Sequence, residues 1–555
     1  MRLTQHYGKE SWAVAMRLRR LKVSNYARLG DLDIEVRQHL VIVGANDVGK
    51  TSLLRLLNLL LAAPVGQMYQ SLSRSDLRDP DQPLVAEAVL SNFSDAERGL
   101  FHREIDIDPE AWAESLTVRL DVDPDIDDPE GVVIQRVLSG TAERRPPSRE
   151  QLGALGWRYL PATRGVGNAQ LGGPNSALRL LLDGIDMGAE QAGLVGLLGD
   201  FNDKLHASER LAGLRGQIAD HLAKSMPRPI TSDDLAVRTA ADPGASVLEG
   251  VSMFFHRDDQ YVPIAEQSDG LRQLMALTLF DLAESGANMI AVDEPEIHLH
   301  PSSQRTVAEL FALSANQKIV STHSPYILQR FEPAQVLVVA PDGTTHQVPD
   351  GSLGAIEKMR SQWWSPRLLE ALTARYVLAV EGVADGIIVE AAARVLGIGL
   401  DRVGAVVFEL DGADKFRHVY KLLGKDGFGI HILALVDKKE EGIFTGAFGG
   451  RPAQVMGTHV WSCEKDLEDE YCRALTAPVV GRLLVAAGLC REVGLLQSCG
   501  AATMDQLTDE AVAAFCRKHK TDAATAVAAN LTPETATRII SVSGMLTKVR
   551  ELAQA

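Results

Sequence analysis

Leu40-Val41-Ile42-Val43-Gly44-Ala45-Asn46-Asp47-Val48-Gly49-Lys50-Thr51-Ser52 decides how the chain is to be read. An apolar run leads into Gly-x-x-x-x-Gly-Lys-Thr, and Leu53 to Leu61 continue as an apolar, helix-like run. Strand, phosphate loop and helix in that order are the pattern of a P-loop. Gly44 and Gly49 let the loop wrap so that backbone N–H groups face phosphate oxygens, with Asn46, Asp47 and Ser52 in the same cradle. Lys50 is placed to reach the β- and γ-phosphates of ATP, and the Thr51 hydroxyl to hold Mg²⁺. The helix presents its N-terminal partial positive charge to the same anion. A Gly-rich turn between a buried strand and a helix is the bland alternative, and the order of strand, loop and helix weighs against it.

The 555 residues are enough for about two to four domains with sizeable cores. With 46% hydrophobic and 23% charged residues, the composition is that of an ordinary soluble protein. No apolar run approaches the length of a membrane span, and the N-terminus carries no secretory apolar region, so a cytoplasmic location is expected. The net charge of −17 argues against broad, nonspecific nucleic-acid binding. It leaves a local site open, because metal ions and a few basic residues offset the excess. Cys463, Cys472, Cys490, Cys499 and Cys516 form no C-x-x-C pair and read as reduced, structural thiols.

Taken in order, Leu18 to Tyr26 and Leu32 to Val36 alternate as strands ahead of the phosphate loop. Asp121 to Asp128 is acidic but lacks the ligand order and glycine of an EF-hand, so it reads as a solvated acidic turn. Residues 175–228 turn helical and look like an insertion between two halves of a nucleotide-binding core, with packing against a partner subunit as its use. Met289-Ile290-Ala291-Val292-Asp293-Glu294 is a buried strand ending in two carboxylates, the Walker B pattern. Asp293 is expected to help hold Mg²⁺ and Glu294 to polarise the attacking water. A further strand, Lys318 to Ser321, runs into Thr322-His323-Ser324-Pro325.

That order resembles the ATPase heads of the ABC superfamily, in their RecF/SMC-like branch. The resemblance implies a γ-phosphate contact for His323. It also implies a signature helix completing a partner subunit's ATP site, a role that falls on Ser268-Asp269-Gly270-Leu271-Arg272. Only the Ser-x-Gly core, Ser268 and Gly270, is kept there. Glu296 to Pro301 would join two such sites, and its His298 and His300 lack a third metal ligand nearby.

The second half repeats the strand–helix alternation of a parallel sheet, after a hairpin-like pair (Val336 to Val339, His346 to Val348) and Trp363-Trp364. Tyr376 to Val380 leads to Glu381 and, one turn on, Asp385; Ala405 to Leu410 leads to Asp411; His431 to Val436 leads to Asp437. Carboxylates at the C-terminal ends of such strands fall where α/β ligand sites form. The arrangement resembles a Toprim domain, which implies Mg²⁺, with Mn²⁺ or Ca²⁺ as alternatives, bound at Glu381, Asp385 and Asp437 for phosphodiester cleavage.

An ABC-type head joined to a Toprim domain resembles the OLD (overcoming lysogenisation defect) nucleases over nearly the whole chain, Trp157 to Arg164 included. The resemblance implies a further metal ligand in Asp466-Leu467-Glu468-Asp469, at Glu468, and a transition-state cation at Lys520. It departs at the second metal carboxylate, where Lys439 stands in Asp437-Lys438-Lys439-Glu440-Glu441. If the strand continues, Lys439 shares a face with Asp437 and opposes a metal ion. Glu441 then fills the vacant position, or the site is inactive, or Lys439 stands in for one cation. The last is expected here, leaving a weakened one-metal site on Glu381, Asp385 and Asp437 with slow or Mn²⁺-dependent cleavage.

The expected fold is α/β: an ATPase domain in two parts, 1–174 and 229–370, around a helical dimerisation insertion at 175–228, then a Toprim domain at 371–555. The expected function is an ATP-hydrolysing, metal-dependent DNA endonuclease governed by nucleotide, in phage defence or DNA processing. The expected assembly is a homodimer or larger, with room for a helicase partner and no membrane contact. The competing reading is an ATPase scaffold whose Toprim domain binds DNA or a protein without cutting.

Overall fold

The computed structural model describes residues 16–349 and 366–554, apart from 109–112, 126, 129, 140–144, 163–176, 184, 186, 224–230, 232–234, 236–247, 249–250, 252, 258–259 and 285. Thr163 and Arg164 of the Trp157 segment, and Trp363-Trp364, lie outside the described residues.

Strand Leu40–Gly44 is buried at every position, as a parallel strand covered on both faces must be. Across its sheet the order is Thr345–Gln347, Val336–Val339, Leu40–Gly44, Gln317–Ser321, Met289–Asp293, Trp157–Leu160. All pairs are parallel except the outermost, Val336–Val339 with Thr345–Gln347. Gly44, Ser321 and Asp293 therefore reach the same C-terminal edge, where ligand crevices form in such sheets. Helix Lys50–Leu61 buries a continuous apolar set of leucines. The Arg136 guanidinium donates to the carbonyls of Leu59 and Ala63 near its C-terminus, at 2.9 and 2.7 Å, placing a cation on the negative end of the helix.

A second, antiparallel sheet runs Leu32–Glu35, Arg17–Ser24, Leu84–Ser91, Glu114–Pro124, with Asp106–Ile107 and Val132–Ser139 both paired to Glu114–Pro124. Leu84–Ser91 alternates buried and half-buried positions, the mark of a sheet with one face on the core. This corrects the reading of Asp121 to Asp128 as an acidic turn for its first half, while Asp125, Asp127 and Asp128 do lie in the turn that follows. Asp121 to Pro124 end a long strand, and Arg119 holds the Asp121 carboxylate at 2.8 Å. A cation two residues away on the same face supplies what solvent was expected to supply.

By contacts the chain forms two units, residues 1–160, 288–294 and 308–555 in one and 161–287 with 295–307 in the other. In the second unit, helices Ala177–Asp183, Glu190–Ala207 and Glu209–Ala223 lie within the stretch expected to be a helical insertion. Leu197, Phe201, Leu214 and Ile218 on the latter two are exposed. Helix Asp269–Ala283 packs against Ala177–Asp183 through Leu178, Ala276 and Leu279.

The C-terminal domain is built on a parallel sheet ordered Ala405–Glu409, Tyr376–Val380, His431–Val436, Val460–Ser462. Helix Val383–Val395 and the helices from Leu467 to Gln554 share one apolar core with it. The five cysteines are free, and Cys463, Cys472 and Cys516 are buried. Among the described residues no helix is long and apolar enough to cross a membrane.

Candidate functional site

The phosphate loop takes its shape from two glycines. Gly44 and Gly49 sit at φ +155° and +104°, conformations that cost side chains other than glycine's dearly. A Cβ at Gly44 would collide with the Val339 carbonyl, and one at Gly49 would meet the Leu29 side chain at 2.9 Å. Lys50 is buried, and its ammonium donates to the carbonyls of Gly44 and Ala45 at 3.1 and 2.7 Å. Asn46 and Asp47 are exposed at the rim. Ser52 lies in the first helical turn, its carbonyl accepting from the Tyr26 hydroxyl at 3.3 Å.

Asp293 is buried at the end of its strand. Its Oδ1 accepts from the Thr51 hydroxyl at 3.2 Å and from the Ser321 hydroxyl, while Oδ2 is buried with no hydrogen-bond partner. An unspent carboxylate oxygen beside a threonine hydroxyl is an oxygen-donor set that fits Mg²⁺. Glu294 adopts φ +46° and its N–H donates to the Ser321 carbonyl at 3.0 Å. His323 Nε2 is 3.6 Å from Glu294 Oε1. Burial, with the Lys50 charge, pushes the His323 imidazole below its ordinary pKa, so it is neutral at pH 7. In the other unit Ser268 is the N-cap of helix Asp269–Ala283, and a Cβ at Gly270 would meet the His298 carbonyl at 2.7 Å. His300 Nδ1 is occupied by the Ser302 hydroxyl at 2.9 Å.

In the C-terminal domain the sheet's C-terminal edge gathers like charges. Glu381 Oε1 accepts from the Asp437 N–H at 2.9 Å, and Asp385 Oδ2 from the Gly382 N–H at 3.0 Å. Burial, then the charges of Glu381, Asp385 and Glu468, push the Asp437 carboxyl up to about 7, with Lys520 opposing. Burial likewise raises Asp385 to about 7, its Gly382 bond and Lys520 opposing and Glu468 and Glu381 adding to it. Glu468 is buried, with Lys520 Nζ 3.5 Å from its Oε1. Burial works against the Lys520 ammonium, but Glu468, Asp385 and Asp437 outweigh it and hold its pKa above the ordinary value. Among the described residues no three Asp, Glu, His or Cys side chains already converge on one point, since Glu381, Asp385 and Glu468 are each committed to a protein donor. Three acidic side chains around Lys520, with Glu381 beside Asp385 and Asp437, nevertheless fit a hard divalent cation, which relieves their mutual repulsion.

The expectation for Lys439 is corrected. The strand ends at Val436, and Lys438–Glu440 form a turn of 3₁₀ helix before helix Glu441–Ala447. Lys439 is 74% exposed and pairs with Glu440 at 3.5 Å. Alternation of faces holds only while the backbone stays extended. Glu441 pairs with Lys438 at 2.7 Å, and that bond lowers its pKa; Glu441 is not among the carboxylates that raise Asp437. Two residues that sequence reasoning passed over support these sites. Ser321 faces Asp293 in register, a contact implied once the two strands are taken as parallel neighbours. Arg517 grips Asp466 with two bonds, at 2.7 and 3.0 Å, fixing the start of helix Leu467–Leu475.

Residues 40–329, just over half of the chain, match the family described as "AAA domain, putative AbiEii toxin, Type IV TA system". Residues 372–438 match "Overcoming lysogenization defect protein-like, TOPRIM domain". The chain belongs to that AAA-domain family and joins its ATPase domain to an OLD-like Toprim domain. It is 25% identical over 401 residues to a protein named OLD nuclease from Thermus scotoductus, a match covering 66% of this chain and 72% of that one. It is also similar to the C-terminal region of the Burkholderia pseudomallei OLD protein, at 20% identity and a TM-score of 0.28, over 32% of this chain and 98% of that one. The Smc head domain of Pyrococcus furiosus matches at 13% identity and a TM-score of 0.38, over 62% and 99% of the two chains. The chain is thus an ATPase head followed by a Toprim domain, the two domain types of an ATPase and nuclease family.

Proposed function

We propose that this OLD protein is an ATP-hydrolysing DNA endonuclease that cuts with a divalent metal ion, Mg²⁺ or Mn²⁺, and whose cutting is governed by nucleotide. The observation that carries the reading is the group formed by Glu381, Asp385, Asp437 and Glu468 with Lys520. Burial first, and then the charges of their acidic neighbours, raise Asp385 and Asp437 to about 7. Structural ion pairs balance acid with base; this group has four acids to one base, the imbalance of a site awaiting a cation.

The four carboxylates would hold the ion. When bound, it supplies a nucleophilic water at neutral pH and stabilises the leaving oxygen of a phosphodiester. Lys520, 3.5 Å from Glu468, is then placed to offset the charge that develops on the cleaved phosphate. In the head, Lys50 holds the ATP phosphates, and Asp293 Oδ2 with the Thr51 hydroxyl would hold the accompanying Mg²⁺. Glu294 positions and polarises the attacking water, with His323 neutral beside it as a γ-phosphate contact. Family resemblance adds phage defence or DNA processing as the setting, a homodimer as the assembly, and room for a helicase partner.

The competing reading, a scaffold with a silent Toprim domain, draws on the carboxylates being committed to protein donors. One assay separates them: supercoiled plasmid with Mg²⁺ or Mn²⁺, with and without ATP. Nicking is expected, and Glu381→Ala is expected to lower it by about 10²-fold or more. Cleavage that is absent, or that survives Glu381→Ala unchanged, favours the scaffold.

A further inference from the structure

The strand pair Val336–Val339 and Thr345–Gln347 touches the phosphate loop through its first strand and the Toprim domain through its second, at neighbouring register positions. Val339 lies opposite Gly44 in the parallel register, and its carbonyl fills the space a Cβ on Gly44 would need. The turn between the two strands is gripped as well. Gly30 N–H donates to the Gly343 carbonyl at 2.7 Å, and a Cβ on Gly343 would collide with the Arg28 carbonyl. Leu29, between those two residues, is the side chain that closes on Gly49. Both glycines that shape the phosphate cradle therefore bear on this strand pair, one directly and one through Leu29.

At the far side, His346 on Thr345–Gln347 sits against Gly429. A Cβ on Gly429, which adopts φ +69°, would run into the His346 ring. Gly429 belongs to the tight loop between helix Phe416–Leu423 and strand His431–Val436, where Phe428 and Ile430 N–H donate to the carbonyls of Leu422 and Leu423 at 2.8 and 2.7 Å. That strand ends at Val436, and the next residue is Asp437, whose N–H is held by Glu381 Oε1. A displacement along the strand is read at its end as a change between two of the metal-site carboxylates.

We infer that this strand pair transmits the nucleotide state of the phosphate loop to the Toprim carboxylates, with His346 seated on Gly429 as the positioning contact. The inference rests on the reading of the chain as a nucleotide-governed nuclease. Coupling needs a physical element that both sites bias, and close contact on both sides of one hairpin, the Val339 carbonyl at Gly44 and the His346 ring at Gly429, provides it. Helix Pro366–Thr373 also packs against both the phosphate-loop strand and Ala405–Glu409, and it is the rival route.

The test uses the full-length protein and compares plasmid nicking with and without ATP. Wild type is expected to show a nucleotide effect of about fivefold or more. His346→Ala, which removes the ring, and Gly429→Ala, which displaces it, are each expected to bring that ratio to about one. ATP hydrolysis and nucleotide-free nicking should both stay within about twofold of wild type. His346→Phe keeps a ring on Gly429 and should retain the wild-type ratio. Retention of the full ratio in both alanine variants overturns the inference and assigns the coupling to the rival helix. Loss of nucleotide-free nicking in both shows a merely structural contact and overturns it too. A wild type that nicks without any nucleotide effect removes the regulatory reading beneath it.

Discussion

Asp293 and Glu294 are neighbours in sequence with opposite surroundings. Asp293 keeps one oxygen tied to two hydroxyls and one unspent, whereas Glu294, turned by its φ of +46°, faces His323. One left-handed residue therefore separates the carboxylate proposed to hold the metal from the one proposed to polarise water. Glu294→Gln keeps the shape and loses the charge, so ATP binding should persist while turnover slows by about 10²- to 10³-fold. Lys50→Ala removes an ammonium expected to contact two phosphates, at about 1.5–3 kcal/mol each. That loss corresponds to roughly 10²- to 10⁴-fold weaker nucleotide binding. Titration with a fluorescent ATP analogue, alongside phosphate release, checks both variants. Equal affinity in wild type and Lys50→Ala would contradict the phosphate-loop assignment. Lys439 carries the opposite lesson: its charge was read correctly from the sequence, but its direction depended on a backbone that leaves the strand one residue before Asp437.

Among the elements, the parallel strands were the legible part. Leu40–Gly44, Met289–Asp293, Tyr376–Val380 and His431–Val436 are short apolar runs that end in chemistry-bearing residues, and burial on both faces makes such runs conspicuous. Strands Leu84–Ser91 and Glu114–Pro124 were not legible, because one face is polar and Asp121 and Asp123 at the end of the second imitate a turn. Nor were pairings between distant segments, such as Arg517 with Asp466, which no local pattern encodes. The strand His431–Val436 also carries a pH dependence. The rings of His431 and His459 lie 5.6 Å apart, and His431 Nε2 and His459 Nδ1 are buried without partners. Burial first, then neighbouring positive charge, pushes both imidazoles below the ordinary 6.5. The folded state thus binds fewer protons than the unfolded chain near pH 6.5, so this contribution is present above that pH and lost as pH falls below it. The raised carboxyls of Asp385 and Asp437 act in the opposite sense between their ordinary value of 3.8 and about 7. The difference between wild type and variant isolates the histidines. In urea unfolding at pH 7.5 and 5.5, His459→Phe should lose less stability across the interval than wild type. An equal loss in both proteins would remove the pair as its source.

At the scale of the whole molecule, the expected trans completion of the ATP site sets a demand on assembly. Ser268 caps a helix of fifteen residues, Asp269–Ala283, with its side chain free of any cap bond, and the helix N-terminus is an anion site in need of an anion. If a second head supplies that anion as its ATP phosphate, hydrolysis is tied to dimerisation. The same unit exposes Leu197 and Phe201 one turn apart on Glu190–Ala207, and Leu214 and Ile218 one turn apart on Glu209–Ala223. Apolar pairs at i and i+4 on adjacent helices form a stripe that water disfavours and that a second copy of the helix pair would cover. The protein is therefore expected to be a dimer by light scattering at micromolar concentration. Replacing Phe201 and Leu214 with glutamate puts charge at the centre of that stripe and should shift the population toward monomer. ATP turnover should then fall with dilution, while nucleotide binding by Lys50 and the phosphate loop of each head persists. A wild-type monomer with full ATPase activity would show that each head completes its own site, and Ser268 and Gly270 would lose their role.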